Sequence, residues 1–227
     1  MTTPPSVLFV NRLRLPARNS SALSELCKIS SASQANSAHT VTESEKLQGV
    51  SDQIDTRTAW LSPDLLAAVR ANVPLVYVDV IPVRVDSHGR VTEVGLLLKV
   101  ASDGSISRML VSGRVLYGER IRDALVRHLE KDLGPLALPH IPPNPSPFTI
   151  AEYFPDPEIS GFVDPRHHAV SLAYVVPVSG DCTPTQEALN LAWFTPAEAA
   201  SSKIAADMTG GQDRLLRLGL AHVGKLP

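Results

Sequence analysis

Apolar and polar residues alternate from Leu75 to Val85, with Val76, Val78 and Val80 on one side of an extended chain and Tyr77, Asp79 and Ile81 on the other. A period of two predicts a strand. Asp86-Ser87-His88-Gly89 has the chemistry of a hairpin turn, and a second strand is expected over Val91–Val100. Ser102-Asp103-Gly104 is another turn and leads to a third strand over Ile106–Val111, so the three read as a meander. The period then changes. Across Glu119–Leu133, Ile121, Leu125 and Leu129 form one stripe with Ala124 beside it, which predicts a helix. Gly134-Pro135 supplies its stop. Proline-dense Leu136–Pro147 is expected to be loop, Phe148–Phe154 a short strand and Pro155–Arg166 a turn-rich connection. Ala169–Val178 is apolar enough for a central strand, and Asn190–Phe194 is a last short one. Ser62-Pro63-Asp64 opens a helix reaching about Ala71, Thr195 N-caps another, and Gln212–His222 is a terminal helix with leucines at 215, 216, 218 and 220. Strands on both sides of a capped helix predict an α/β fold, a mixed sheet layered between helices.

Composition changes this picture at one end. Asn19–Ser51 is rich in Ser, Ala, Thr, Gln and Asn, and buries too little apolar surface to offset its ordering entropy. Met1–Asp55 is therefore expected to be a mostly disordered extension, with one domain over 56–227 beginning to fold near Trp60. Arg12, Arg14 and Arg18 precede the first acid, Glu25, a mild resemblance to a transit peptide; an unstructured leader fits better. The two cysteines, Cys27 and Cys182, suggest no disulfide and a reducing, cytoplasmic setting. A net charge of −2 gives no nucleic-acid footprint, and no apolar run spans a membrane.

Candidate chemistry lies between Gly113 and Gly134, in the run Gly113-Arg-Val-Leu-Tyr-Gly118-Glu119-Arg-Ile-Arg-Asp-Ala-Leu-Val-Arg127-His128-Leu129-Glu130-Lys131-Asp132-Leu133-Gly134-Pro135. It resembles the Nudix box, in which Gly, five residues, Glu and seven residues lead to Arg-Glu-apolar-any-Glu-Glu-any-Gly-apolar. Gly113, Glu119, Arg127, Leu129 and Gly134 match, and Asp132 is a shortened match for the last glutamate. His128 and Lys131 replace two glutamates, and Pro135 an apolar residue. Leu96–Leu98 before the box and Ala192-Trp193-Phe194-Thr195-Pro196-Ala197-Glu198 after it add to the resemblance, which covers about Val73–Ser201. It is strongest to bacterial Nudix-like proteins without an assigned activity.

The resemblance implies a Nudix-like α/β/α sandwich and cleavage of a nucleoside diphosphate linked to another moiety. It also implies a divalent cation, Mg or Mn, held by box-helix carboxylates. Carried over residue by residue, Glu119, Arg127 and Asp132 take catalytic roles, and His128, Asp132 and Glu119 form the metal set. His128 and Asp132 lie four apart, on one helix face. Imidazole would soften such a site toward Mn, Fe or Zn. Lys131 would repel a divalent ion, or could salt-bridge phosphate or Asp132 instead. In Asp164-Pro165-Arg166-His167-His168, before the apolar strand, Arg166 and His167 are candidates for substrate contact. Two functions stay open. One is a Nudix-type diphosphate hydrolase with atypical metal ligation; the other is an inactive Nudix-fold module that binds a nucleotide or a protein. Either implies a nucleotide-type small molecule as partner, and a homodimer is compatible with both.

Overall fold

The computed structural model describes residues 60–100, 104–184 and 188–226. The expected disorder of Met1–Asp55 lies outside the described residues, as does the start of the Ser102 turn. The chain divides at Asp52/Gln53, and every described residue belongs to the second unit.

Ser62 caps the first helix, α1 (Pro63–Asn72): its hydroxyl accepts from the Leu65 N–H at 3.4 Å, and Pro63 sits in the first turn, where a missing N–H costs nothing. Strand β1 (Leu75–Val85) is the hub of the sheet. It runs antiparallel to β2 (Val91–Val100) and to β4 (Val111–Arg114), and parallel to β7 (Ala169–Gly180). β3 (Ile106–Met109) and β8 (Ala188–Phe194) pair with β2, while β5 (Ala137–Pro139) and β6 (Thr149–Tyr153) pair with β7. The sheet is therefore mixed, and Ala169–Gly180 is the interior strand that its apolar run predicts.

Two departures from the expected elements have local causes. The third strand is not continuous: the Leu110 N–H leaves the ladder for Gln212 Oε1 at 2.9 Å, and beyond it the chain changes partner from β2 to β1. The proline-rich loop contains β5, because Leu138 lines up against Ser179 at the far end of β7. A proline is tolerated on such an edge strand, where no ladder N–H is demanded of it.

Period-two alternation sorts β1 between two cores. Val78 and Val80 pack with Leu97, Val111 and Tyr174 against α2 (Ile121–Leu133), which contributes Ala124, Leu125, Leu129 and Leu133. On the opposite face Ile81, Val83 and Leu96 pack beneath α6 (Gln212–His222), through Leu215, Leu216 and Leu220. α4 (Pro196–Ala199) and α5 (Ser202–Ala206) cover the same face, and α3 (Pro157–Ser160) is one turn in the connection after β6. Thr195 and Glu198 close a reciprocal capping box at the start of α4. Helices thus cover both faces of a mixed sheet, the expected sandwich. Among the described residues no helix is long and apolar enough to cross a membrane.

Candidate functional site

The segment from β4 to α2 is held by one ion pair. The Arg127 guanidinium lies fork-to-fork on Glu119, with Nε to Oε1 at 2.6 Å and Nη2 to Oε2 at 2.7 Å. Arg127 Nη2 also donates to the Arg114 carbonyl, and the Leu116 N–H donates to Glu119 Oε2. Glu119 thus ties the loop before α2 to the middle of the helix. Burial works to raise its pKa, but the hydrogen bonds from Arg127 and Leu116 and the charge of Arg127 outweigh it, and the net shift is downward.

His128 is buried against Gly113, where any Cβ would overlap the imidazole. Its Nε2 is 3.0 Å from the Arg114 carbonyl and donates to it, while Nδ1 has no hydrogen-bond partner. Burial, opposed by the bond to the Arg114 carbonyl and helped by Arg127 and Lys131, lowers its pKa and favours the neutral ring. Gly134 ends α2 at φ 93°, and the Thr183 carbonyl stands where its Cβ would be.

Asp132 is 1% exposed, and its Oδ1 accepts from Lys99 Nζ, on β2, at 2.9 Å. Lys131 Nζ stands 3.9 Å from the same oxygen. The three residues of the expected metal set are therefore drawn to different partners: Glu119 to Arg127, Asp132 to Lys99, His128 to a carbonyl. Among the described residues no group of three His, Cys, Asp or Glu side chains could hold a metal ion. A divalent cation at this point would meet two ammonium groups and a guanidinium already seated on its carboxylates. The residues present do not fit it, and the reason lies partly outside the box, on β2.

Beside α2 opens a cleft of about 800 Å³. Five cations, Arg70, Lys99, Arg114, Lys131 and Arg166, line it against two carboxyl groups, Asp79 and Asp164. Trp60 and Tyr77 add aromatic wall, and Arg114 Cζ lies 5.7 Å from the Trp60 ring centre. Of the residues given catalytic, metal or substrate roles in the sequence, His128 and Arg166 reach this cleft, whereas Glu119, Arg127, Asp132 and His167 do not line it. Arg166 is held fork-to-fork by Asp164, at 2.9 and 2.7 Å, and stays half exposed. His167 is buried beside Tyr77, with ring centres 5.4 Å apart; its ring nitrogens make no hydrogen bond, and Nδ1 stands 3.8 Å from Asp164 Oδ2.

Sequence reasoning missed Lys99, Arg70 and Asp79, and did not assign Arg114. For two of them a signal was available. Lys99 is a charge in the apolar run Val94–Val100, and Asp79 an acid in the apolar run Val76–Val83. A charge inside a buried strand is rare without a role.

A family model described as a domain of unknown function, DUF4916, matches residues 56–225. No curated protein matches the chain. Among solved structures, one from Jonesia denitrificans, described as a possible asymmetric diadenosine tetraphosphate hydrolase, is 63% identical; the match covers 69% of this chain and 98% of that one, with a TM-score of 0.67. A Nudix-family hydrolase from Clostridium perfringens is similar at 15% identity, over 67% and 97% of the two chains, with a TM-score of 0.48. A Nudix hydrolase from Nitrosomonas europaea is similar at 16%, over 68% and 92%, with a TM-score of 0.49. The chain belongs to the DUF4916 family.

Proposed function

We propose that the cleft binds a nucleotide-type polyphosphate, and that the chain is a Nudix-fold binding module in which lysines stand where the fold's hydrolases hold metal. The ion pair of Lys99 with Asp132 carries this reading. It neutralises Asp132, as Arg127 neutralises Glu119, and puts a fixed ammonium at the cleft wall. Lys99 and Lys131 from one side, with Arg114, Arg70 and Arg166 around the opening, supply the positive field that a string of phosphates needs. Trp60 and Tyr77 offer faces on which a base could stack. The 63% identical relative's description, which names diadenosine tetraphosphate, supports the same ligand class.

Hydrolysis of such a ligand is the second reading, and that description favours it. Thermal shift and calorimetry with diadenosine tetraphosphate and ATP, in EDTA and then in Mg or Mn, separate the two, with products followed by anion-exchange chromatography. Binding in EDTA that metal does not strengthen, with no product, is the expected result. Metal-dependent product release would establish the hydrolase. Failure of every ligand to bind would remove both readings.

A further inference from the structure

Beneath the cationic opening, on the face of β1 away from α2, the cleft floor holds a carboxyl group that the box chemistry does not use. Asp79 is 1% exposed yet lines the cleft. Its Oδ2 accepts the Tyr153 hydroxyl from β6 at 3.0 Å, and its Oδ1 has no hydrogen-bond partner. Ser112 on β4 and Ser171 on β7 turn hydroxyls toward it, though no hydrogen bond of ordinary length reaches Oδ1 or leaves the Ser171 hydroxyl. Four strands thus converge on one polar well. Tyr77 and Tyr153 line the cleft beside it.

Such a group is costly to bury with one of its oxygens left unpartnered. Burial holds the Asp79 pKa up, with Tyr153, Ser112 and Ser171 opposing, and no positive charge offsets it. The tyrosine hydroxyl is pushed up in turn by burial and by Asp79, so it stays a donor. The residues on the rim are cationic, which excludes a cationic ligand and selects an anion. A partner for Asp79 must therefore be an uncharged hydrogen-bonding group at the far end of an anionic molecule. A nucleobase edge has that chemistry: its ring N–H and exocyclic amino groups donate to a side-chain carboxyl oxygen.

We propose that Asp79, positioned by Tyr153 and flanked by Ser171, is the base-reading subsite of the cleft, with its free Oδ1 bonding the edge of a nucleobase whose phosphates lie toward Lys99 and Lys131. This rests on the nucleotide reading above. The two fail separately when the base contribution is measured apart from the phosphate contribution.

The measurement is calorimetry of the full chain with inorganic tripolyphosphate, ATP and GTP, taking the ratio of the tripolyphosphate Kd to each nucleotide Kd. One nucleotide is expected to bind about tenfold tighter than tripolyphosphate, the factor of one good hydrogen-bonded pair. Asp79→Asn is expected to change the preference between ATP and GTP at least fivefold, because it exchanges one acceptor for a donor. Asp79→Leu is expected to cut the base advantage to under threefold, with the tripolyphosphate Kd within twofold of wild type. Tyr153→Phe should lower the base advantage partway. A base advantage that survives Asp79→Leu overturns the subsite, and so does one that is missing in wild type while tripolyphosphate binds. If neither tripolyphosphate nor nucleotide binds wild type, the nucleotide reading itself falls. A variant that unfolds is recognised by the loss of tripolyphosphate binding, and Asp79→Asn, of equal shape, then decides.

Discussion

Gly113 and His128 hold one another in place. The imidazole takes the space a Cβ at Gly113 would need, and burial there favours its neutral form. Gly113→Ala should destabilise the fold by about 2 kcal/mol through overpacking, read as a shift in the urea midpoint. His128→Ala in the same chain should recover part of that loss, so that the pair is non-additive. The same burial sets a pH dependence. A histidine whose folded pKa lies below its ordinary 6.5 contributes stability above that pH and loses it as pH falls, because the unfolded chain takes up the proton first. His128→Gln should flatten the part of the stability profile just below pH 6.5; an unchanged profile would mean that His167, also lowered by burial, dominates it. Glu119 acts lower on the scale. Its folded pKa is depressed, so its share is full above 4.5 and lost as pH falls through the folded value. Glu119→Gln should cost about 2 kcal/mol at pH 7, the loss of a charged and largely buried hydrogen-bonded partner. Wild type and variant should converge in acid, as followed by circular dichroism.

Between elements, the contact that matters most joins β2 to α2. Lys99 is 12% and Asp132 1% exposed at the side chain, so removing one leaves a buried charge with weakened compensation. Lys99→Met should cost about 3 kcal/mol, and Lys99→Met with Asp132→Leu should return most of it, measured by chemical denaturation. Replacing only box residues, His128→Glu with Lys131→Glu, should not create Mn binding by calorimetry, because Lys99 still occupies Asp132. Adding Lys99→Met should. Most elements were legible because each has a one-dimensional signature: alternation in β1, the leucine stripe of α2, the Thr195 cap, the leucines of α6. The partner exchange at Leu110 and the edge strand Ala137–Pro139 were not, because a glutamine a hundred residues away causes the first and strand extension across β7 the second. The site was half legible for the same reason. Spacing along one helix puts His128 and Asp132 on one face, but nothing in that spacing reveals that a lysine from another strand already holds the aspartate.

At the scale of the molecule, both cores, the cleft and the family match fall within residues 53–227. A 56–227 fragment should melt within about 2 °C of the full chain and bind ATP with the same Kd within twofold; a large loss of either would show that the first fifty residues complete the fold or the cleft. The five-to-two excess of cations over carboxyl groups around the cleft contrasts with a chain that is net negative. Association with a polyphosphate should therefore slow steeply with added salt, while a charge-poor ligand would show no such slope.

Lys99 has one more consequence. An ion from solution is held by mass action and can be stripped by a chelator, starved by the cell or exchanged for a rival. An ammonium on a covalent leash has no dissociation constant and no competitor, and its dose is always one. On the proposed reading, a protein with Lys99 at this position reports the presence of its ligand without also reporting the supply of magnesium or manganese.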